Sequence, residues 1–436
     1  MAINTGDLNS LYKVAYAKGV EDVLPWKRKL MDLIDFVPSE LQNGKHYEQP
    51  VVLTGEQGFT YSLDTQTAYD LNDSIGMAMQ SAVVPGADIV LDSTVGYNQA
   101  ARASHSATSF KTVMSTKFEN MLKSSSHRVE IAMFYGNDSI GTTVADTYSA
   151  VGATIALVIS TASWATGIWS GSENALVKFS VVSTGFLPTG IANTAAFIVT
   201  AVNIDTRTVT FTEVVSGDAA ELATAAAAAL NVFFFGSVAL AASVTAPIYA
   251  EMAGLKKIMT NTGTLFGISA ATYDLWKGNS VAVTGQLTMA KVLSAVSKAV
   301  QRGLDSDVVL FCNPSTWADL ASNLAALRRY DGSYSKSKAS NGSEQLEYVS
   351  QNGTIKIMSY NIVKEGDAFI FPVSKALRIG ARELSLNDPT RPAEEIFFTI
   401  PGKAGVGLRA YTNQAIFLEA PAQAVYISGI VNSNAA

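Results

Sequence analysis

The side chains of this sequence that most readily supply metal ligands or nucleophiles are three histidines and one cysteine. His46, His105 and His127 are far apart, and none has a second histidine or cysteine three or four residues later, as a helical metal site requires. Cys312 is the only cysteine, which excludes an intrachain disulfide and a multi-cysteine zinc site. It follows the apolar residues 308–311, so we expect a buried structural thiol in a strand. The sequence predicts no metal and no cofactor.

Motifs for covalent or phosphate chemistry are also missing. The sequence contains neither a G-x-S-x-G elbow nor a Walker-type phosphate loop. The glycine-rich segment 402–407 lies between two strand-like runs, without the following helix that would direct backbone N–H groups at a phosphate. Glu394 and Glu395 are adjacent, and neighbours in a strand point to opposite faces. We therefore expect a protein that is not an enzyme.

The charge composition favours association with other subunits over specific nucleic-acid binding. Only 16% of the 436 residues are charged, whereas soluble domains average about 25%. This deficit fits either a surface rich in small polar residues or a surface that other subunits cover. The net charge of −6 argues against a dedicated nucleic-acid reader. The one basic run, Lys27-Arg28-Lys29, fits a solvated helix face or, alternatively, a patch that faces packaged DNA.

The ends and hydropathy of the chain predict no membrane partner. The first residues lack a basic stretch followed by an apolar core, and no apolar run approaches the length of a membrane span. We expect a soluble protein that is made in the cytoplasm.

The first third of the chain is predicted to form an arm, a hairpin and a long helix. Short helices separated by Pro25 are predicted before residue 40, the second from Trp26 to Phe36. Extended runs at His46–Leu53 and Met77–Leu91 flank a polar stretch, which predicts a projecting β-hairpin. Apolar residues three and four apart then predict a helix from Thr108 to Phe134, ended by Gly136.

The middle of the chain changes character. Strand-like runs with very few charges predict a small β-barrel or sandwich inserted into another domain, at Thr154–Ile159, Leu176–Val182, Phe197–Asn203, Thr208–Val214 and Val232–Phe235.

The last part combines helices and strands. A helix is predicted at Leu287–Val300, and strand Val308–Cys312 leads into a second helix with Asn313 as N-cap and Pro314 first. Residues 331–345 form a polar loop. Further strands are predicted at Thr354–Tyr360, Ala368–Phe371, Glu395–Ile400, Gly407–Tyr411 and Ala415–Glu419.

This order of elements resembles the tailed-bacteriophage major capsid protein, whose Johnson fold is shared with herpesvirus capsid proteins. Residues Ser109-Phe110 through Tyr135-Gly136 look like the family's spine helix. The family's axial strand–helix–loop resembles residues Pro314 to Leu320 and then Ala326 to Asp331. Leu408-Arg409-Ala410-Tyr411 and the segment Ile427 to Ile430 look like the family's C-terminal strands.

The resemblance implies an α+β phage major capsid fold with a β-rich insertion. Its divisions would be an N-terminal arm at 1–40, an extended hairpin (E-loop) at 41–100, a peripheral domain with the spine helix at 101–141, 244–275 and 373–436, a β-rich insertion domain at 142–243, and an axial domain at 276–372.

By the same resemblance, the protein would be a structural subunit that self-assembles into hexamers and pentamers of an icosahedral shell around phage double-stranded DNA. It would reside in the virion after assembly in the host cytoplasm. Implied partners are other copies, a separate scaffolding protein, a portal, decoration proteins and non-specifically bound DNA. Implied inter-subunit contacts are Glu56, Phe59, Tyr61, Asp64, Tyr69, Arg328, Arg329 and Tyr330.

Two other functions stay open from the residues themselves. One is the shell of an encapsulin-like compartment, which shares the fold and encloses cargo proteins. The other is a non-catalytic surface or tail-fibre binding protein, in which the β-rich block would be the active part.

Overall fold

The computed structural model describes residues 24–37, 47–65, 68–96, 107–241, 247–327, 346–350, 353–387, 396–400, 402 and 404–433. The α-helices within these ranges are α1 Leu30–Leu33, α2 Ala107–Tyr135, α3 Thr166–Trp169, α4 Asp218–Ala225, α5 Leu255–Thr260, α6 Met289–Val300 and α7 Pro314–Leu327. No described helix is long and apolar enough to cross a membrane.

The strands within the same ranges are β1 Tyr47–Thr54, β2 Ala78–Val84, β3 Ala87–Gly96, β4 Gly141–Val151, β5 Thr154–Ile159, β6 Leu176–Val181, β7 Phe197–Asn203, β8 Thr208–Glu213, β9 Leu230–Phe234, β10 Val238–Ala239, β11 Ile248–Tyr249, β12 Thr264–Leu265, β13 Ile268–Ser269, β14 Asn279–Gly285, β15 Val308–Cys312, β16 Leu346–Ser350, β17 Gly353–Ser359, β18 Ala368–Phe371, β19 Ala376–Ser385, β20 Phe397–Thr399, β21 Gly405–Leu418 and β22 Val425–Ile430.

The long helix α2 is the central element, and its bounds confirm the predicted helix. Its last turns are almost completely buried, including Val129, Phe134 and Tyr135. Asn137, rather than the predicted glycine, adopts the left-handed backbone conformation after the helix, with φ of 62°. Gly136 has a different role, because a Cβ there would overlap the backbone oxygens of Met252 and Ala132.

A closed six-stranded barrel follows α2, with strand order β4-β5-β8-β7-β6-β9. Its interior contains the edge-to-face contacts of Phe179 with Phe197 and Phe211, at ring-centroid distances of 5.2 and 5.1 Å. Strand β4 was not predicted from the sequence. Most of its residues are exposed, so it lacks the apolar alternation by which strands are recognised.

A six-stranded mixed sheet, in the order β14-β22-β18-β15-β17-β16, forms the second layer with α6 and α7. Strand β15 is buried at every position, and Cys312 is a buried free thiol, as predicted. The N-cap prediction is also confirmed, because the Ser315 amide donates to Asn313 Oδ1 at 3.0 Å. Strand β22 pairs with β14 and β18 in this sheet.

A third sheet joins β19, β20 and β21 with β3. Strand β21 is one continuous strand of 14 residues, where two separate strands were predicted. Its polar middle looked like a break, but Thr412 and Gln414 are buried and bonded to each other at 2.6 Å. The hydrogen-bonding capacity of these side chains is met internally, so the strand passes through the core without interruption.

Strands β1 and β2 pair antiparallel to form the base of a hairpin. The predicted helix at 26–36 is reduced to α1, because backbone groups on either side of it bond to other parts of the molecule. The loop at 331–345 lies outside the described residues.

Candidate assembly surfaces

The segment between β1 and β2, residues 55–77, is called the hairpin tip. Its apolar side chains are exposed to an unusual degree, with Tyr61 90% and Leu71 78% accessible. Phe59, Leu63, Tyr69 and Ile75 are also exposed. Single exposed apolar residues are ordinary, whereas several large ones lie within this one segment.

Hydrogen bonds across the hairpin tip give it a defined shape. The Gln57 amide donates to the Ile75 carbonyl at 3.1 Å, and the Asn72 side-chain amide donates to the Phe59 carbonyl at 2.8 Å. The Asn72 backbone amide also donates to the Thr60 hydroxyl at 2.8 Å. These bonds join the two sides of the tip well beyond the paired strands, so its apolar side chains are presented on an organised ribbon.

The charges of the hairpin tip all have one sign. Residues 55–77 contain Glu56, Asp64, Asp70 and Asp73 and no lysine or arginine. A partner surface for this segment should therefore be both apolar and basic.

A second feature is the strap, residues 24–37, which contacts four parts of the molecule. At its start, the Trp26 indole N–H donates to the Ser170 carbonyl at 2.9 Å, beside the barrel. The Trp26 ring also stacks on His127 of α2, with ring centroids 4.5 Å apart and planes 8° from parallel. Farther along, the Lys29 ammonium donates to the Ser359 carbonyl at the end of β17, at 2.6 Å.

The centre of the strap is held by a buried carboxylate. Glu130 of α2 accepts from the Met31 amide at 2.7 Å, the Leu30 amide at 3.3 Å and the Tyr360 hydroxyl at 3.1 Å. Burial raises the pKa of Glu130 to about 7, although these three donors act in the opposite direction. Glu130 therefore satisfies the free N–H groups at the beginning of α1.

The end of the strap is fixed to β19. The Arg378 guanidinium donates to the Ile34 carbonyl at 2.6 Å and to Gln414 Oε1 at 3.1 Å. The Val37 amide donates to the Arg378 carbonyl at 2.8 Å. With Leu30, Met31 and Ile34 buried, the strap is an integral part of the core.

The barrel is also fixed to the body through backbone hydrogen bonds. The Glu365 amide donates to the Trp164 carbonyl at 2.9 Å, and the Gly366 amide donates to the Ala162 carbonyl at 2.9 Å. The barrel interior and the body share one continuous apolar core, which includes Trp169 and Phe369. The barrel is thus packed firmly against the residues that follow β17.

A buried charged cluster joins α2, α5 and the segment before β18. The Lys256 ammonium lies 2.7 Å from Asp138 and 3.9 Å from Asp367, whose other oxygen accepts from the Tyr426 hydroxyl at 2.7 Å. Burial lowers the pKa of Lys364 to about 8, and its ammonium donates to the Ser139 carbonyl at 2.7 Å. These groups bond to one another around a packed joint, which is a structural arrangement.

The strap and α2 together form a surface groove, here called the strap groove, of about 370 Å³. Its lining residues are Trp26, Lys27, Arg28, Glu119, Leu122, Lys123, Ser126 and His127. Burial, followed by the charge of Arg128, lowers the pKa of His127 to about 3, so the ring is neutral at pH 7. No cluster of metal-binding side chains occurs in the described parts of the chain.

The predicted contact residues divide into two groups. Glu56, Phe59, Tyr61, Asp64 and Tyr69 all lie on the hairpin tip and are exposed. Arg328, Arg329 and Tyr330 lie outside the described residues.

Sequence reasoning missed the strap as a structural unit and treated its basic run as uniform. Lys27 and Arg28 are exposed, whereas the Lys29 ammonium is half-buried and lies 5.6 Å from the centre of the Tyr360 ring. The available signal was the apolar spacing of Leu30, Met31 and Ile34, which was interpreted only as a helix face.

Comparison with known proteins agrees with this architecture. The family described as "SU10 major capsid protein" matches residues 227–376, which include the last barrel strand and most of the six-stranded sheet. The cyanophage A-1(L) capsid subunit has a TM-score of 0.55 and 10% identity, over 98% of this chain and 99% of that chain. No curated protein matches.

Two further solved structures are similar at lower scores. The capsid of a native GTA particle has a TM-score of 0.49 and 9% identity, over 99% of this chain and 100% of that chain. The SrpI encapsulin complex from Synechococcus elongatus has a TM-score of 0.41 and 9% identity, over 99% of this chain and 96% of that chain.

The chain therefore has the fold of tailed-phage capsid subunits, an α+β architecture built around one long helix. The family match covers about a third of the chain, residues 227–376, and the rest of the likeness is one of fold.

Proposed function

We propose that this protein forms the hexamers and pentamers of an icosahedral shell that encloses phage double-stranded DNA, and that the hairpin tip is its principal assembly arm. The observation that carries the second part is the group of exposed apolar side chains on an ordered, projecting ribbon. In an isolated subunit this surface would be exposed to water. Burying apolar surface lowers the free energy by about 25 cal/mol per Å². Covering it against a neighbour supplies a driving force for association.

The contrast between the packed body of the subunit and its hairpin tip supports the same proposal. The strap, the barrel and the sheets share buried contacts, whereas the described hydrogen bonds of Gln57, Thr60 and Asn72 join the two sides of the hairpin tip to each other. A rigid body that carries one extended arm can meet neighbours in several geometries, and many modest contacts add up around each subunit. Residues Arg328, Arg329 and Tyr330 are proposed as a further contact near the symmetry axis.

The remaining assignments are part of the proposal. Residues 142–243 are an accessory insertion domain, residues 276–372 the axial domain, and residues 101–141, 244–275 and 373–436 the peripheral domain. Assembly takes place in the host cytoplasm with a separate scaffolding protein, and a portal, decoration proteins and packaged DNA complete the particle.

Deletion of residues 57–74 with a short Gly-Ser replacement tests the role of the hairpin tip. The expected product is a folded subunit that sediments as small species and forms no shells by negative-stain electron microscopy. A matched control replaces the exposed turn at 204–206 of the barrel with the same linker. Shells in normal yield from the tip deletion would refute the assignment.

The contents of the particles separate the capsid from an encapsulin-like compartment. Particles purified from infected cells should contain nuclease-protected double-stranded DNA of phage genome length. Particles filled with one host protein and no such DNA would support the compartment function instead.

A further inference from the structure

A larger cavity, here called the junction cavity, lies where α2, β3 and the barrel meet and has a volume of about 620 Å³. Its walls are mainly apolar and include Phe234 and Leu176 of the barrel and Val90 of β3. Val90 and Leu176 are exposed, so the cavity opens to solvent beside apolar side chains. A cavity of this size and lining can hold a small apolar ligand.

The Arg128 guanidinium is the one cation among the side chains that line the junction cavity. It stacks on the Phe234 ring, 3.2 Å from the ring centre, and burial lowers its pKa to about 10. Within the described parts of the chain, no group accepts a hydrogen bond from it and no carboxylate forms an ion pair with it. A guanidinium carries five N–H donors in a planar fork that fits a carboxylate. The cavity therefore contains a fixed positive charge whose hydrogen-bonding capacity is unused.

The Ser125 hydroxyl is a second unused donor in the same cavity. Ser125 precedes Arg128 by one helical turn, so the two side chains lie on one face of α2. Ser125 is only 3% exposed, and its hydroxyl has no hydrogen-bond partner among the described residues. Buried polar groups are normally bonded, so this hydroxyl indicates a missing partner. One acceptor group placed between them would satisfy both Ser125 and Arg128.

The two carboxylates that line the junction cavity are engaged elsewhere. Asp88 is exposed and accepts from the Tyr411 hydroxyl at 3.0 Å and the Asn413 side-chain amide at 2.6 Å. Glu251 accepts from the Asn137 amide at 3.3 Å. Burial raises the pKa of Glu251 to about 7, so at neutral pH it repels an anion less than an ordinary carboxylate would.

We propose that the junction cavity binds a carboxylate carried on a small apolar body, with Arg128 as the counter-ion and Ser125 as a second hydrogen-bond donor. The apolar body lies against Phe234 and Leu176. A carboxylate suits the site better than a phosphate dianion, because its single charge matches the single cation and Glu251 repels it less. The carboxylate belongs either to a free small molecule or to the C-terminal residue of a peptide. This site is independent of the role of the hairpin tip in assembly.

Binding of fluorinated probes to the full-length subunit, followed by fluorine NMR, tests the proposal. N-acetyl-para-fluorophenylalanine should bind saturably at millimolar concentrations or below. Its carboxamide, which has the same shape without the charge, should bind about tenfold more weakly or worse, because it cannot form a charge-assisted hydrogen bond with the guanidinium. A third probe, para-fluorophenylpropionate, lacks the peptide group. Tighter binding of this probe than of the acetylated amino acid indicates a free small carboxylate, and weaker binding indicates a peptide C-terminus.

Variants of the cavity give effects of opposite sign. Arg128→Leu should weaken binding of the acid by about tenfold or more, and Ser125→Ala by about threefold. Ser125→Ala should keep the thermal unfolding midpoint of the wild type, because its hydroxyl has no described bond to lose. Glu251→Gln should strengthen binding, since it removes a negative charge and keeps an acceptor for the Asn137 amide. Arg28→Leu removes an exposed cation outside the cavity and is the matched control, with wild-type affinity expected.

Equal binding of the acid and its carboxamide would overturn the proposal, as would saturable binding of neither. Wild-type affinity in Arg128→Leu would also overturn it. If Arg128→Leu fails to fold, Ser125→Ala and Glu251→Gln decide the question, because a purely structural role of Arg128 predicts no change of affinity in either variant.

Discussion

The Glu130 carboxylate offers a direct test of how the strap is held. It is fully buried and accepts hydrogen bonds from the strap amides of Leu30 and Met31 and from the Tyr360 hydroxyl. Its pKa in the folded protein is raised from 4.5 to about 7, with burial as the largest cause. A carboxyl group with a raised pKa binds its proton more tightly in the folded protein than in the unfolded chain.

The sign of the pH dependence follows from this difference. The contribution of Glu130 to stability is fully present below pH 4.5 and is lost as the pH rises through about 7, because the folded protein must then bury an ionised carboxylate. Between these values, at about 1.4 kcal/mol per pH unit, the loss is about 3 kcal/mol. Glu130→Gln keeps an oxygen acceptor for the Met31 amide and removes the titration.

Hydrogen exchange of the Leu30 and Met31 amides measures the free energy of local opening of the strap. We expect the free energy of strap opening in the wild type to fall by up to about 3 kcal/mol from pH 4.5 to pH 7.5, and to fall much less in Glu130→Gln. Glu119→Gln, an exposed carboxylate on the same helix, is the matched control and should behave like the wild type. Equal pH slopes in the wild type and Glu130→Gln would refute the reasoning.

Three other predictions concern the joints between elements. Gly136→Ala should destabilise the subunit by about 1–3 kcal/mol in urea unfolding, because the new Cβ overlaps the Met252 carbonyl oxygen; stability equal to the wild type would contradict this close packing. Trp26→Ala removes the bond to Ser170 and the stacking on His127, so limited proteolysis should cut the strap at least several-fold faster; unchanged cleavage would contradict it. A barrel fragment should give a β-type circular dichroism spectrum only if it begins by Gly141, where β4 pairs with β9, so a fragment of residues 145–242 should be less ordered than one of residues 139–241.

Much of the fold follows from sequence patterns where apolar periodicity is strong. The helix at Ala107–Tyr135 and the strands at Phe197–Asn203 and Val308–Cys312 lie within a residue or two of their predicted bounds. The helix has apolar residues three and four apart in the sequence, and the strands are short apolar runs, which are the patterns that sequence analysis recognises. The contact residues expected on the hairpin tip came from resemblance to a family rather than from a sequence pattern, and their role as contacts stays a prediction.

The rest depends on contacts between distant parts of the chain. Strand β4 is polar and mostly exposed, and it belongs to the barrel because its ends pair with β5 and β9. Thr412 and Gln414 suggest a turn until their buried partners are known. The strap is held by Glu130, about 100 residues later, and by Arg378, about 340 residues later, and no local pattern encodes such bonds.

The arrangement of the strap has a consequence for assembly. Residues 24–37 bond to α2, to β19 and to the region beside the barrel, so the strap connects these three parts of the subunit. A loosened strap would therefore also disturb the positions of α2, β19 and the barrel, and with them the surfaces that these elements present to neighbouring subunits. Variants that loosen the strap, such as Trp26→Ala, should therefore weaken assembly even when the isolated subunit remains folded.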